Sequence, residues 1–345
     1  EPCPLRSAAF CFHPFIASAR SLRYRESARQ GLKAARFESG EGLTMKILVT
    51  GATGLIGRQL CKRLASEGHH LVGVSRSAKR TSDVAEMHAW DTQSGPPPAP
   101  ALAGVEAVIH LAGEPIAARR WTDEQKKRIR DSRIVTTRNL VNGLRAMTTK
   151  PAALISGSAI GFYGDRGDET LDEQSAAGSG FMSEVCQDWE REAEPAASSG
   201  IRVALVRTGV VLSREGGALQ KMLTPFKLGL GGPLGSGKQW FSWIHIDDIV
   251  SVIHYALNSV AMSGPVNGTA PEPVTNAEFT RALGHALHRP AFLPVPTFGL
   301  QALMGEMSEV LLGSQRVIPK VLLQSGYAFR FPKLAPALED LLNKR

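Results

Sequence analysis

The segment KILVTGATGLIGRQL, residues 46–60, constrains the fold more than any other stretch of the chain. A short apolar run rich in β-branched residues ends in a turn carrying Gly51, Gly54 and Gly57. Ile56, Leu60 and Leu64 then follow at helical spacing. Glycines at a strand-to-helix junction permit a tight turn, let backbone N–H groups approach a diphosphate, and allow close packing of helix on strand. The helix N-terminus adds a favourable partial charge for an anion. Thr53, Leu55 and Ile56 lie in the same turn and join the glycines as expected dinucleotide contacts. The next strand-like run, HHLVGVSR, ends in Ser75 and Arg76, where an acidic residue would favour free ribose hydroxyls. An Arg beside a hydroxyl suits an extra phosphate, so the expected cofactor is NADP(H).

Strand-like runs at 46–50, 71–75, 106–111, 153–157 and 202–207 alternate with helical stretches. That alternation predicts an α/β fold, a Rossmann-type doubly wound parallel sheet, with a smaller C-terminal lobe over the substrate cleft. The expected organisation is a leader or disordered extension over 1–44, an NADP-binding domain over 45–260 and the lobe over 261–345. Loops from about 214–242 are expected at the cleft. GPLGSGK, 232–238, has the spacing of a phosphate loop, but Gln239 replaces the metal-binding Ser/Thr and no apolar strand leads into it. It reads as a mobile glycine loop. Met304 and Met307 read as packing residues.

Charge excludes little. Of the net +8, six Arg and one Lys against four Glu give +3 in residues 1–44, leaving +5 for the rest. No helix-turn-helix, metal-finger or aromatic-basic signature accompanies the basic residues at 119–133, so nucleic acid is not an expected partner. No apolar run reaches the roughly 18 residues of a membrane span, and no membrane partner is expected. Cys3, Cys11, Cys61 and Cys186 form no C-x-x-C pair and read as thiols, and the nine His make no ligand-spaced cluster, so no metal is expected. The leader has Arg and Ser but no secretory apolar core. It reads as in-frame sequence upstream of a start at Met45, as an organelle transit segment, or as a disordered tail. The expected location is the cytoplasm, or an organelle matrix if the leader is a transit peptide.

TGATGLIG together with VIHLAG (108–113), SAIGFYG (158–164) and WIHIDDI (243–249) resembles an extended short-chain dehydrogenase/reductase of the NAD-dependent epimerase/dehydratase type. LAGEPI, RTGVVLSREGGAL, PFKLGLGGPLGSGKQWFSWIHIDD and LPVP resemble, more narrowly, an atypical subgroup of unsettled function with a short C-terminal domain. The likeness spans about residues 46–342. It implies that Leu111, Ala112 and Gly113 border the adenosine and nicotinamide ribose, that Asp91 lies near the adenine, that Arg133 reaches the phosphates and that Val211 packs near the nicotinamide. Arg133 falls on a helix opened by Thr122, whose T-x-x-Q pattern resembles a capping box.

The resemblance also sets a chemical requirement: a Tyr with a Lys four residues later to lower its pKa, and a Ser or Thr on the substrate oxygen. This sequence departs at each point. Ala159 stands at the serine position with Ser158 beside it. Whether Phe181/Val185 or Met182/Cys186 occupies the pair, neither Tyr nor Lys is present. Ser158 and Tyr163 remain as candidate proton-transfer groups, and His245 reads as structural before an N-cap Asp247. Two functions follow: an NADP(H)-dependent oxidoreductase or epimerase-like enzyme acting on a small carbonyl or alcohol, or a non-catalytic NADPH-binding sensor or assembly factor. A homodimer is an expected assembly.

Overall fold

The computed structural model describes residues 44–79 and 81–343; the leader readings, with Cys3 and Cys11, lie outside them. Seven strands form one sheet: β1 Lys46–Thr50, β2 His70–Ser75, β3 Glu86–Ala89, β4 Ala107–His110, β5 Ala153–Ala159, β6 Arg202–Thr208 and β7 Gly264–Gly268. Their order across the sheet is 3-2-1-4-5-6-7, and every pairing is parallel. The order reverses between β1 and β4. In an open parallel sheet that reversal leaves a crevice beyond the carboxyl ends of the strands, where ligands bind.

Strands β1, β4 and β5 are buried almost throughout, because helices cover both faces and leave no polar side to the sheet. Helix α1, Leu55–Ser66, packs with α5, Ile246–Asn258, while α2, Asp123–Ala146, packs with α3, Phe181–Ala193. Leu140, Val141 and Leu144 of α2 share one core cluster with Leu48, Val108, Leu154 and Leu205 of the sheet. Thr122 caps α2, its Oγ1 accepting from the Gln125 amide at 3.2 Å. Only that half of the expected box forms, since the Thr122 amide donates to the Arg120 carbonyl at 3.1 Å instead of to the Gln125 side chain.

Two strands lie beyond the sequence expectation. β3 carries the mixed sequence EMHA, and β7 is GPVNG, which reads as a connection. The sheet therefore continues past residue 260, where the sequence placed the start of the lobe. Helices α6, Asn276–Ala286, and α7, Leu334–Asn343, pack together beyond it, and a helix α4, Gly217–Lys227, precedes the cleft loops. Met304 and Met307 do pack: they join Trp121, Ile129, Ile116 and Phe181 in an apolar cluster tying the lobe to α2 and α3. The 232–238 loop leads into a short strand, Trp240–Phe241, with no helix at its end. It is anchored by the Leu234 amide donating to Asn276 Oδ1 at 2.8 Å and the Gly235 amide to the Val295 carbonyl at 2.9 Å.

Candidate cofactor site

The glycine turn is built by exclusion of side chains. Gly51 has φ +71°, and a Cβ there would lie 2.7 Å from the Leu111 carbonyl carbon and oxygen. A Cβ on Gly57 would lie 2.1 Å from the Gly51 carbonyl oxygen. Neither position accepts a side chain while the turn stays this tight. Helix α1 then begins with Gly54 at its N-cap, without a side-chain cap and without an acidic residue in its first turn. Its leading N–H groups are thus left for an anion, with the helix dipole behind them. Thr53 and Gly54 are exposed, and Leu55 and Ile56 half-buried. The loop carrying Gly216 and Gly217 lies across Leu55, a Gly216 Cβ position being 3.3 Å from Leu55 Cδ1.

Beside this turn, β4 delivers Leu111, Ala112 and Gly113 through a buried hydrogen-bond chain. Thr137 Oγ1 donates to the Arg133 carbonyl at 2.6 Å, so it accepts from His110 Nε2–H at 2.8 Å. His110 Nδ1 then accepts from Thr50 Oγ1 at 2.7 Å, and that oxygen accepts the Leu111 and Ala112 amides at 3.2 Å each. The pattern fixes a neutral imidazole with its proton on Nε2. Full burial pushes its pKa down to about 4. Thr50, His110 and Thr137 were not singled out from sequence; a His followed by Leu-Ala-Gly at a strand end was the available signal.

Arg133 faces the same loop. A Cβ on Gly113 would be 3.2 Å from its guanidinium carbon, so the glycine lets the group lie flat on the backbone. One nitrogen, Nη1, donates to the Glu114 carbonyl at 3.1 Å and the Ile129 carbonyl at 3.0 Å, and the guanidinium stacks over Trp189 at 5.2 Å. Burial holds its pKa below the usual value. The Trp90 amide bonds the Ser75 carbonyl at 3.0 Å, which brings Asp91 alongside Ser75 and Arg76. Asp91 is exposed and accepts the Gln93 amide at 3.1 Å. Ser75 Oγ is buried without a hydrogen-bond partner next to an exposed Arg76. An orphaned hydroxyl beside a free cation at a strand's carboxyl end fits a phosphate better than it fits solvent. Val211, half-buried, sits in a short strand, Val210–Leu212, paired with Trp243–His245.

Ser158 and Tyr163 are committed elsewhere. Ser158 is buried and donates to Glu190 Oε1 at 2.6 Å; the fully buried Tyr163 hydroxyl donates to Asn267 Oδ1 at 2.8 Å and accepts from Arg207 Nη1 at 3.0 Å. Arg207 grips Glu190 through Nε and Nη2, both at 2.8 Å, and stacks 3.4 Å from the Phe162 ring centre. Desolvation raises the Tyr163 pKa further above its ordinary value. On α3, Val185 is fully buried, and burial pushes the Cys186 thiol up to about 12. Neither register of that helix supplies an acid or base.

His245 corrects a detail of the sequence reading. It is itself the N-cap of α5, its Nδ1 accepting the Asp247 amide at 3.0 Å, where Asp247 had been expected to cap. With Asp247 and Asp340 it makes a cluster whose ligand atoms fall within 4.8 Å. Because Nδ1 is an acceptor, the imidazole proton sits on Nε2, 3.4 Å from Asp340 Oδ2. A metal needs the lone pair there, so the donor pattern favours a His–Asp pair over a ligand set.

Residues 47–267 match the family model described as NAD dependent epimerase/dehydratase family, and 295–341 match a domain of unknown function, DUF1731. The chain is 40% identical over 311 residues to the chloroplastic epimerase family protein SDR39U1 homolog of Arabidopsis thaliana, covering 86% of this chain and 87% of that one. It is 43% identical over 293 residues to epimerase family protein Mb2239 of Mycobacterium bovis, covering 85% and 96%. Its backbone follows the crystal structure of human epimerase family protein SDR39U1 with NADPH at a TM-score of 0.79 and 38% identity, over 87% of this chain and all of that one. With the glycine turn, the strand order and these matches in agreement, the chain belongs to the NAD dependent epimerase/dehydratase family.

Proposed function

We propose that this chain binds NADPH across the carboxyl edge of its sheet and uses it on a small carbonyl or alcohol. The observation that carries the cofactor choice is the orphaned Ser75 hydroxyl beside exposed Arg76, where a 2′-phosphate would find both a donor and a charge. The human relative crystallised with NADPH supports the same choice. The uncapped start of α1 would hold the diphosphate, Asp91 would flank the adenine, and Leu111–Gly113 would border the riboses, with Arg133 behind Gly113 and Val211 at the nicotinamide end. Bound NADPH supplies a hydride. The protein's share is to cradle the phosphates, position the ring and exclude water.

Arg76→Ala is expected to weaken NADPH binding by about 10- to 100-fold while leaving NADH within a few-fold, since a charge-assisted hydrogen bond contributes roughly 1.5–3 kcal/mol. Titration calorimetry with both cofactors checks this; equal losses would remove the 2′-phosphate role.

A second reading is favoured by the engaged hydroxyls of Ser158 and Tyr163 and the inert Cys186 thiol: a sensor or assembly factor that binds NADPH without turning it over. Stereospecifically deuterated NADPH, incubated with the protein and a small-molecule cell extract, separates the two. A deuterated metabolite establishes hydride transfer and names the substrate. Label retained on bound cofactor across extracts favours the sensor.

A further inference from the structure

Among the large apolar side chains exposed at the end of α4 and in the lobe, five fall close together along the chain segments 228–230 and 292–298. Leu228 is 70% exposed, Leu230 57%, Phe292 71%, Leu293 42% and Phe298 74%. They come from two segments laid side by side. The Leu293 amide donates to the Gly231 carbonyl at 3.2 Å, and Arg289 Nε donates to the Lys227 carbonyl at 3.1 Å. A Cβ on Gly229 would touch Pro290 Cγ at 3.7 Å. Leu228 and Leu230 are thereby set beside Phe292 and Leu293. Phe298 follows in a helix, Thr297–Met304, after the Pro294 and Pro296 corner.

Such a patch on a folded protein marks an interaction surface, and its charge identifies the partner. Residues 217–238 and 285–304 contain Lys221, Lys227, Lys238 and Arg289 and not one Asp or Glu. Lys227 and Arg289 are exposed at its edge. A symmetric pairing of two copies through this face would set these cations against each other. The apolar side chains also project from loops and a helix start, so they need a partner that accepts protruding side chains without a matching groove. A bilayer does so. We propose that this face docks onto an anionic lipid surface, with Phe292 and Phe298 entering the acyl boundary and Lys227 and Arg289 meeting the phosphates. Such docking is distinct from spanning, and no helix among the described residues is long and apolar enough to cross a membrane.

The test is sedimentation of the full chain with phosphatidylcholine vesicles, with or without about 30 mol% phosphatidylglycerol. Binding is expected only to the anionic vesicles and is expected to weaken with salt. Phe292→Ser with Phe298→Ser should lower it by about tenfold or more, as should Lys227→Glu with Arg289→Glu. Leu323→Ser, an exposed apolar site on another helix, should not. Thermal melts confirm that each variant is folded. Equal partition to neutral and anionic vesicles, no binding to either, or binding untouched by the four patch changes overturns the proposal. A dimer that the Phe variants dissociate, without vesicle binding, assigns the face to a second copy and overturns it too.

Discussion

Arg207→Ala should cost this protein about 3–5 kcal/mol of stability, the effect of leaving a buried carboxylate without its partner. Arg207 is 4% exposed and Glu190 6%, and the guanidinium meets both carboxylate oxygens at 2.8 Å in a two-pronged contact. Glu190 also accepts from Ser158, and Arg207 donates to the Tyr163 hydroxyl, so the deletion strands the Glu190 carboxylate on α3 and removes a donor from Tyr163 in the turn after β5. Removing the guanidinium also empties the space over the Phe162 ring. Urea unfolding would read the loss as a lower midpoint. The pair itself is not what stabilises the fold: replacing both partners, Arg207→Met with Glu190→Leu, should recover much of the loss, because neither charge is then buried alone. An unchanged midpoint for Arg207→Ala would mean that the Glu190 carboxylate reaches water or takes up a proton, and the network would lose the role given to it.

That network also shows where sequence reading stops. The turn at 51–57 was legible because three glycines at fixed spacing leave one local geometry, and the β-branched run before them has one partner state. β5 and β6 were legible because parallel central strands read as continuous apolar runs. β3 and β7 were not, since edge strands need no apolar face. Pro265 is tolerated in β7 because the strand has a neighbour on one side only. The pairing of Arg207 with Glu190 and Tyr163, of Ser158 with Glu190, and of Tyr163 with Asn267, depends on β5, β6, β7 and α3 meeting in space. No spacing along the chain encodes it. The identities of Ser158 and Tyr163 announce hydroxyls; only the packing tells that both are used inside the protein. The same holds for His245, whose capping role depends on a ring orientation that sequence does not give.

His110 yields the other large effect, through pH. Its ordinary pKa is about 6.5, and burial lowers it to about 4 in the folded protein. The unfolded chain therefore takes up the proton first as pH falls. Stability from this group is complete above about pH 6.5, declines below it, and is gone near pH 4, a loss of roughly 3 kcal/mol. His69 and His254 are also held below their usual value by burial and titrate in the same direction, so the wild-type slope alone does not assign the effect. His110→Gln separates them: its urea midpoint should start lower at pH 7 and fall less between pH 6.5 and 4. Parallel curves for the two proteins would show that His110 is not buried as a neutral base. Protonating Nδ1 also ends its acceptance from Thr50, whose oxygen holds the Leu111 and Ala112 amides in place. The loop expected at the riboses therefore loosens as His110 is protonated, and NADPH affinity should weaken toward pH 4 in the wild type more than in His110→Gln.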